Sequence, residues 1–173
     1  MAVTVHQFEG DPPIQKQVAR TLTEAGETLA IAESLTGGLV GALVTTVPGS
    51  SDFFDRSLVT YSHEAKHEEL SVERNVLEGV GAVDGTVAEQ MARGAQEVAG
   101  TTWGVSTTGI AGPTTNERGD PVGRVYIGVV SVRDGEEVTS VSVQRYDFEG
   151  SRSEIKEKAA RQALEDLHAM ATA

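Results

Sequence analysis

Apolar positions repeat with the period of a helix in some stretches of this chain and with the period of a strand in others. Residues 12–26 carry apolar side chains three or four positions apart and end at Gly26, which is typical of an amphipathic helix with a glycine C-cap. The pattern then predicts a strand over 28–32, a helix over 37–46, a strand over 56–61, a helix from 63, a short helix over 72–79, a helix over 86–99 and a strand over 102–107.

The last third of the chain has a different order of elements. Residues 123–132 and 138–148 read as strands on either side of Asp134-Gly135, which is a strong signal for a hairpin turn. Ser151 is placed to cap a final helix, whose apolar face consists of Ile155, Ala159, Leu164 and Leu167. Alternating helices and strands followed by a hairpin predict an α/β protein, a three-layer α/β/α sandwich with a mixed β-sheet, in a single domain over 1–173.

Composition narrows the class of protein and its partners. The chain has no cysteine, which excludes disulfides, a thiolate nucleophile and a cysteine zinc site. Its net charge of −12 argues against a nucleic-acid partner, and no apolar run reaches the length of a membrane span. We therefore expect a cytoplasmic protein that binds neither nucleic acid nor membrane. The large excess of Asp and Glu over lysine predicts a protein that works at high salt, where screening weakens self-repulsion.

The segment Glu33-Ser34-Leu35-Thr36-Gly37-Gly38 lies where a buried strand is predicted to turn into a helix. A helix start leaves backbone N–H groups without partners, and glycines allow a substrate oxygen to approach the main chain. Ser34 is therefore a candidate nucleophile beside an oxyanion hole formed near Thr36 to Gly38. The alternative is that Ser34 or Thr36 only caps the helix.

Two further clusters follow predicted strands. The segment 61–67 contains Tyr61, Lys66 and the pattern His63-Glu64-x-x-His67, which in zinc hydrolases provides two metal ligands and a general base. We expect no metal here, because a catalytic zinc needs a third protein ligand and His6 and His168 lie near the chain ends. The other cluster is the glycine-rich loop 108–113. Ligands of open α/β sheets bind beyond the carboxyl ends of strands, so all three clusters are predicted to face one cleft.

Six motifs occur in a characteristic order: Ala-Glu-Ser-Leu-Thr-Gly-Gly at 32–38, Val-Pro-Gly-Ser-Ser at 47–51, Val-Thr-Tyr-Ser-His-Glu-Ala-Lys at 59–66, Gly-Ala-Val at 81–83, Thr-Gly-Ile-Ala-Gly-Pro at 108–113 and Pro-Val-Gly at 121–123. Together they resemble the CinA C-terminal domain family, which includes bacterial nicotinamide-mononucleotide amidohydrolases. The resemblance implies hydrolysis of the carboxamide of nicotinamide mononucleotide, a pyridine nucleotide, without a cofactor. It also implies a homo-oligomer, Ser34 as nucleophile, and Tyr61 and Lys66 as its proton-transfer partners.

The substrate phosphate needs hydrogen-bond donors. The loop that contains Thr108, Gly109, Ala111 and Gly112 is one source, as a nest of backbone N–H groups, and the family resemblance adds Arg152. The alternatives are that the glycines only serve a tight turn and that Arg152 is a surface charge. The rival function is a non-catalytic nucleotide-binding or assembly domain of the same fold.

Some residues depart from the family pattern. Leu35 and His63 replace the usual cysteine and asparagine, and Lys156 stands where arginine is common, which weakens a bidentate phosphate clamp. The polar stretch 114–120, predicted to be a mobile loop, lacks the usual Asp-Gly-Gly.

Overall fold

The computed structural model describes residues 12–133, 137, 138 and 140–173. The helices are α1 (Ile14–Ala25), α2 (Leu39–Val44), α3 (His63–Leu70), α4 (Arg74–Val80), α5 (Gly85–Ala99) and α6 (Arg152–Ala171). The strands are β1 (Leu29–Glu33), β2 (Phe54–Val59), β3 (Trp103–Gly109), β4 (Arg124–Ser131) and β5 (Ser140–Asp147).

These strands form one mixed sheet in the order β2-β1-β3-β4-β5. Strand β1 runs parallel to both β2 and β3, whereas β4 is antiparallel to β3 and to β5. At the carboxyl end of β1, Glu33 is in register with Val59 of β2 and Thr107 of β3. The segments that follow the three parallel strands therefore begin side by side at one edge of the sheet.

Helices cover both faces of the sheet. Successive side chains of β1 point to opposite faces, so β1 contributes to two separate cores. Leu29 and Ile31 pack in a core with α1, α2 and α6, whereas Ala30 and Ala32 pack in a second core with α5 and residues of α3 and α4. Both cores are buried. The predicted three-layer α/β/α sandwich with a mixed sheet is thus confirmed.

Capping residues in the sequence predicted several helix ends correctly. Gly26 ends α1 in the left-handed conformation, Gly100 does the same for α5, and Ser62 and Ser151 cap α3 and α6. Other boundaries differ by a few residues: α2 is shorter than predicted at both ends, and β2 lies two residues earlier than predicted. Strands β4 and β5 pair as the predicted hairpin, but its turn at 134–136 lies outside the described residues.

The loop 114–120, predicted to be mobile, is held by specific hydrogen bonds. The Asn116 side chain accepts from the backbone N–H groups of Arg118 and Asp120 and donates to the Asp120 carboxylate. The Arg118 guanidinium donates to the carbonyls of Glu78 and Gly79 at the end of α4. This loop is therefore fastened to α4 across the carboxyl edge of the sheet.

Within the described ranges, no helix is long and apolar enough to cross a membrane.

Candidate active site

Ser34 and Lys66 meet at the carboxyl edge of the sheet. The Lys66 Nζ lies 3.0 Å from the Ser34 Oγ, which is hydrogen-bonding distance. Ser34 is the first residue after β1, and Lys66 lies in the first turns of α3, whose start is fixed by the Ser62 hydroxyl that accepts from Ala65 N. Both side chains are buried, Lys66 with 1% of its surface exposed. The amine that a serine nucleophile needs as its base therefore lies within reach of the Ser34 hydroxyl.

The surroundings of Lys66 make its neutral form easier to reach. Besides Ser34, Nζ contacts the carbonyl oxygens of Thr60 at 2.7 Å and Tyr61 at 3.3 Å. No carboxylate forms an ion pair with Lys66 in the described part of the chain. Burial without a counter-ion lowers the pKa of Lys66 from 10.5 to about 8. In the structure Nζ donates to both carbonyls and to the Ser34 hydroxyl. Once neutral, the amine keeps two N–H donors for the carbonyls and has one lone pair for the serine proton.

The start of α2 is capped by Glu33, and neither Ser34 nor Thr36 caps it. One oxygen of the buried Glu33 carboxylate accepts from the N–H groups of Gly38 and Val40, and the other accepts from Gly41 N–H. The helix N-terminus prefers a charged acceptor, and Glu33 reaches it from the end of the preceding strand. The alternative that Ser34 or Thr36 only caps the helix is therefore wrong, and the Ser34 hydroxyl is left for Lys66.

The backbone N–H groups of Gly37 and Gly38 are already occupied, which corrects the oxyanion hole expected there. Gly37 N–H donates to the Ser34 carbonyl, and Gly38 N–H donates to Glu33. The N–H groups of Leu35 and Thr36 have no acceptor among the described residues. The Thr36 hydroxyl is 2.7 Å from the Thr107 hydroxyl at the end of β3, which fixes the turn. The available donors after the nucleophile are therefore those of Leu35 and Thr36.

The Tyr61 side chain is separate from the Ser34–Lys66 pair. Its hydroxyl accepts from Arg152 Nη2 at 3.2 Å, and it makes no hydrogen bond with Ser34 or Lys66. Tyr61 is 61% exposed. Arg152 also donates to the Gly112 carbonyl, so it connects Tyr61 to the glycine-rich loop. The structure therefore shows no direct hydrogen bond from the Tyr61 hydroxyl to the expected proton-transfer partners, and Tyr61 contacts Lys66 through its backbone carbonyl.

A cleft of about 330 Å³ opens beside Ser34. It is lined by Ser34, Leu35, Tyr61, His63, Gly81, Ala82, Val83, Thr108, Gly109, Ile110, Ala111, Asn116, Glu117 and Arg118. Ser34, Tyr61 and the 108–111 part of the glycine-rich loop thus share one cavity, as the strand order predicted. Thr36, Gly37, Gly38, Gly112 and Arg152, also expected to bind substrate, are not among its lining residues.

The His63-Glu64-x-x-His67 pattern does not gather metal ligands. His67 Nδ1 lies 2.9 Å from the Val72 carbonyl, and His63 lines the cleft. Nowhere in the described ranges do three His, Asp or Glu side chains come together as a metal site.

Two residues of the site were missed in the sequence. The signal for Glu33 was available, because an acid at a strand end a few residues before a helix start can cap that helix. Arg118 gave no local signal, since its acceptors lie 39 and 40 positions away.

Comparison with known proteins places the chain in one family. Residues 11–171 match the family described as CinA C-terminal domain. A CinA-like protein of Syntrophotalea carbinolica is 42% identical over 158 residues, which cover 91% of this chain and 37% of that protein. A CinA-like protein of Geobacter sulfurreducens is 45% identical over 159 residues, which cover 92% of this chain and 37% of that protein. The chain thus spans a little over a third of the length of these curated relatives.

Solved structures agree with this assignment. A competence-damaged protein (CinA) superfamily protein from Klebsiella pneumoniae has a TM-score of 0.86 at 30% identity, covering 92% of this chain and 96% of that one. The competence/damage inducible protein CihA from Agrobacterium tumefaciens has a TM-score of 0.84 at 35% identity, covering 98% of both chains. The chain with the buried Ser34–Lys66 pair therefore belongs to the CinA C-terminal domain family.

Proposed function

We propose that this chain hydrolyses the carboxamide of nicotinamide mononucleotide to nicotinate mononucleotide and ammonia, with Ser34 as the nucleophile. The observation that carries the proposal is the 3.0 Å contact between the Ser34 hydroxyl and the buried Lys66 amine. A serine hydroxyl is a weak nucleophile until an adjacent base accepts its proton, and a lysine with a lowered pKa can be that base. The amide as substrate follows from the family resemblance of the motifs around these residues.

The first half-reaction forms an ester on Ser34. Neutral Lys66 accepts the serine proton as Oγ attacks the carboxamide carbon, and the carbonyl oxygen becomes an oxyanion. The N–H groups of Leu35 and Thr36 donate to that oxyanion. Protonated Lys66 then gives its proton to the departing nitrogen, the C–N bond breaks, and ammonia leaves.

The second half-reaction consumes one water molecule. Lys66 is neutral again and accepts a proton from the water as the water oxygen attacks the ester carbon. Collapse of the second tetrahedral intermediate breaks the bond to Ser34 Oγ, which takes the proton back from Lys66. The carboxylic acid product loses its proton to the solvent and leaves as a carboxylate, and both residues return to their starting state.

Binding of the nucleotide is assigned to the walls of the cleft and to its neighbours. Thr108, Gly109 and Ala111 line the cleft, and the N–H groups of Ala111 and Gly112 have no acceptor in the described part of the chain. Lys156 has its amine near the Ser34 turn, 3.6 Å from where a Cβ on Gly37 would lie. We assign the phosphate to the Ala111 and Gly112 N–H groups together with Lys156, and we assign Arg152 to holding the loop that presents them.

The experiment is a product assay with nicotinamide mononucleotide at about 1 M KCl, since a highly acidic protein needs screening of its charges. Ammonia and nicotinate mononucleotide should appear in equal amounts, and Ser34→Ala should form both at least about 10³-fold more slowly. Nicotinamide riboside, which lacks the phosphate, should react with a higher KM. Binding of the mononucleotide without ammonia release would instead support a non-catalytic nucleotide-binding domain. We also propose that the protein is a cytoplasmic homo-oligomer. Sedimentation of the purified protein tests the oligomeric state.

A further inference from the structure

The Glu33 carboxylate is buried one position before the proposed nucleophile and accepts four hydrogen bonds. Oε2 accepts from Gly38 N at 2.9 Å and Val40 N at 3.1 Å. Oε1 accepts from Gly41 N at 2.9 Å and from the Ser57 hydroxyl at 2.7 Å. No Lys, Arg or His of the described residues forms an ion pair with it. Its partners are therefore the N-terminus of α2 and one serine of β2.

These contacts tie the nucleophile to its base through three elements. The Glu33 side chain joins the end of β1 to the start of α2 and, through Ser57, to the middle of β2. The main chain continues the connection, because Thr60 N–H donates to the Glu33 carbonyl and the Thr60 carbonyl accepts from Lys66 Nζ. A shift of Glu33 would therefore change the position of Ser34 and of the carbonyl that orients Lys66.

We propose that Glu33 is a positioning residue for Ser34, and that its charge keeps the turn from Ser34 to Gly38 in the conformation that leaves the Leu35 and Thr36 N–H groups free. This inference rests on the proposed function. Because Glu33 occupies the donors of α2, the oxyanion has to use the N–H groups ahead of the helix. The carboxylate thus leaves the N–H groups of Leu35, which lines the cleft, and of Thr36 as the unpaired donors after Ser34 in the described part of the chain.

The sequence provides the room that this arrangement needs. A Cβ on Gly41 would lie 2.8 Å from Ser57 Cβ, 3.3 Å from Ser57 Oγ and 3.5 Å from Glu33 Oε1. Any side chain at position 41 would therefore push Ser57 away from the carboxylate. A glycine inside a helix costs stability relative to alanine, and here it permits the close approach of α2 to β2.

The chemistry of the four contacts requires a carboxylate. Every partner in these contacts donates a proton, and an ionised carboxylate accepts at both oxygens. The amide of Glu33→Gln accepts at one oxygen only. Its NH₂ group can donate to the Ser57 hydroxyl, but it faces the Gly41 N–H with no acceptor. The isosteric variant therefore keeps the shape and loses one backbone contact and the charge.

The test measures the reactivity of Ser34 with a small fluorophosphonate, in which Ser34 Oγ displaces fluoride from phosphorus. Glu33→Gln should be labelled at least about tenfold more slowly than the native protein, since charged hydrogen bonds are roughly twice as strong as neutral ones. Its kcat for the amide should fall to a similar extent at nearly unchanged KM. The pH at which labelling reaches half its maximal rate should stay near the pKa of Lys66, because the base is intact.

Glu27→Gln is the matched control. Glu27 is a partly buried acid that accepts from Trp103 Nε1 at 2.6 Å and pairs with Arg133, at the opposite end of β1. Its amide variant should lower the melting temperature and leave the labelling rate of Ser34 unchanged. A general loss of stability is thereby separated from a change in the position of the nucleophile.

The outcomes of these measurements support or overturn the positioning role of Glu33. If Glu33→Gln folds and is labelled at the native rate, the positioning role is overturned. If the native protein is not labelled at Ser34 at all, the serine mechanism itself falls, and this inference falls with it. If Glu33→Gln does not fold, Ser57→Ala removes one donor and keeps the carboxylate. That variant should be labelled about threefold more slowly, as expected for one lost hydrogen bond, and a native rate would overturn the role.

Discussion

The Lys66 amine lies 3.0 Å from the Ser34 hydroxyl, although the two residues are 32 positions apart in the chain. Strand pairing between β1 and β2 brings the two together, because Ser34 follows β1 and the carbonyls that hold Lys66 follow β2. Burial of the amine without a carboxylate partner then gives it the properties of a base. The pair is therefore a product of the fold and of desolvation together.

The first prediction concerns the pH dependence of the reaction. The pKa of Lys66 is about 8, so the fraction of neutral amine rises about tenfold per pH unit below that value. We expect kcat/KM for ammonia release to rise in the same way and to level off above pH 8. A rate that is flat or falling from pH about 6 to about 9 would show that neutral Lys66 is not the base.

The second prediction concerns stability and follows from the same shift. Between a pKa of about 8 in the folded protein and 10.5 in the unfolded chain, only the unfolded chain holds the Lys66 proton. The free energy of unfolding should therefore rise with pH across this window, relative to Lys66→Met, by about 3 kcal/mol. Denaturant titrations of both proteins at several pH values measure the difference. Parallel pH curves for the two proteins would contradict the lowered pKa.

The third prediction tests whether the Tyr61 hydroxyl takes part in proton transfer or only supports the glycine-rich loop. Because its hydroxyl contacts Arg152 and neither Ser34 nor Lys66, Tyr61→Phe should leave kcat within about twofold. Loss of one hydrogen bond that supports the glycine-rich loop should raise KM by about two- to tenfold. Steady-state kinetics on nicotinamide mononucleotide provide the test. A fall in kcat by two orders of magnitude would show that the hydroxyl carries a proton in the reaction.

The fourth prediction concerns salt. At a net charge of −12, repulsion between surface carboxylates opposes the folded state. Raising KCl from about 10 mM to about 1 M shortens the Debye length from about 30 Å to about 3 Å and should raise the melting temperature. Calorimetry across this range, with sucrose as an uncharged control solute, measures the effect. A melting temperature that does not rise with KCl would contradict adaptation to high salt.

Sequence reasoning succeeded where the determining contacts are local. Gly26, Ser62 and Ser151 mark helix ends through contacts within a few residues, and each was placed correctly. Alternation of helices and strands predicted the layered fold. In each case the free energy comes from a turn of helix or from one apolar face, and both can be read from spacing.

The site itself was predicted less completely, because its contacts join distant parts of the chain. Ser34 and Lys66 were named from motifs, and their contact depends on strand order. The Glu33 cap was missed because a serine and a threonine beside it are the usual caps, whereas the buried carboxylate satisfies three backbone donors together. Its contact with Ser57, 24 positions away, required the pairing of β1 with β2.

The most direct test of the Ser34 mechanism compares ammonia release from nicotinamide mononucleotide by the native protein, Ser34→Ala and Lys66→Met at about 1 M KCl. The native protein should release ammonia with multiple turnovers, and both variants should be slower by about 10³-fold or more, since nucleophile and base act as a unit. Folding of each variant is checked by its melting curve. Absence of ammonia with the native protein, or a folded Ser34→Ala variant with native activity, would contradict catalysis by Ser34.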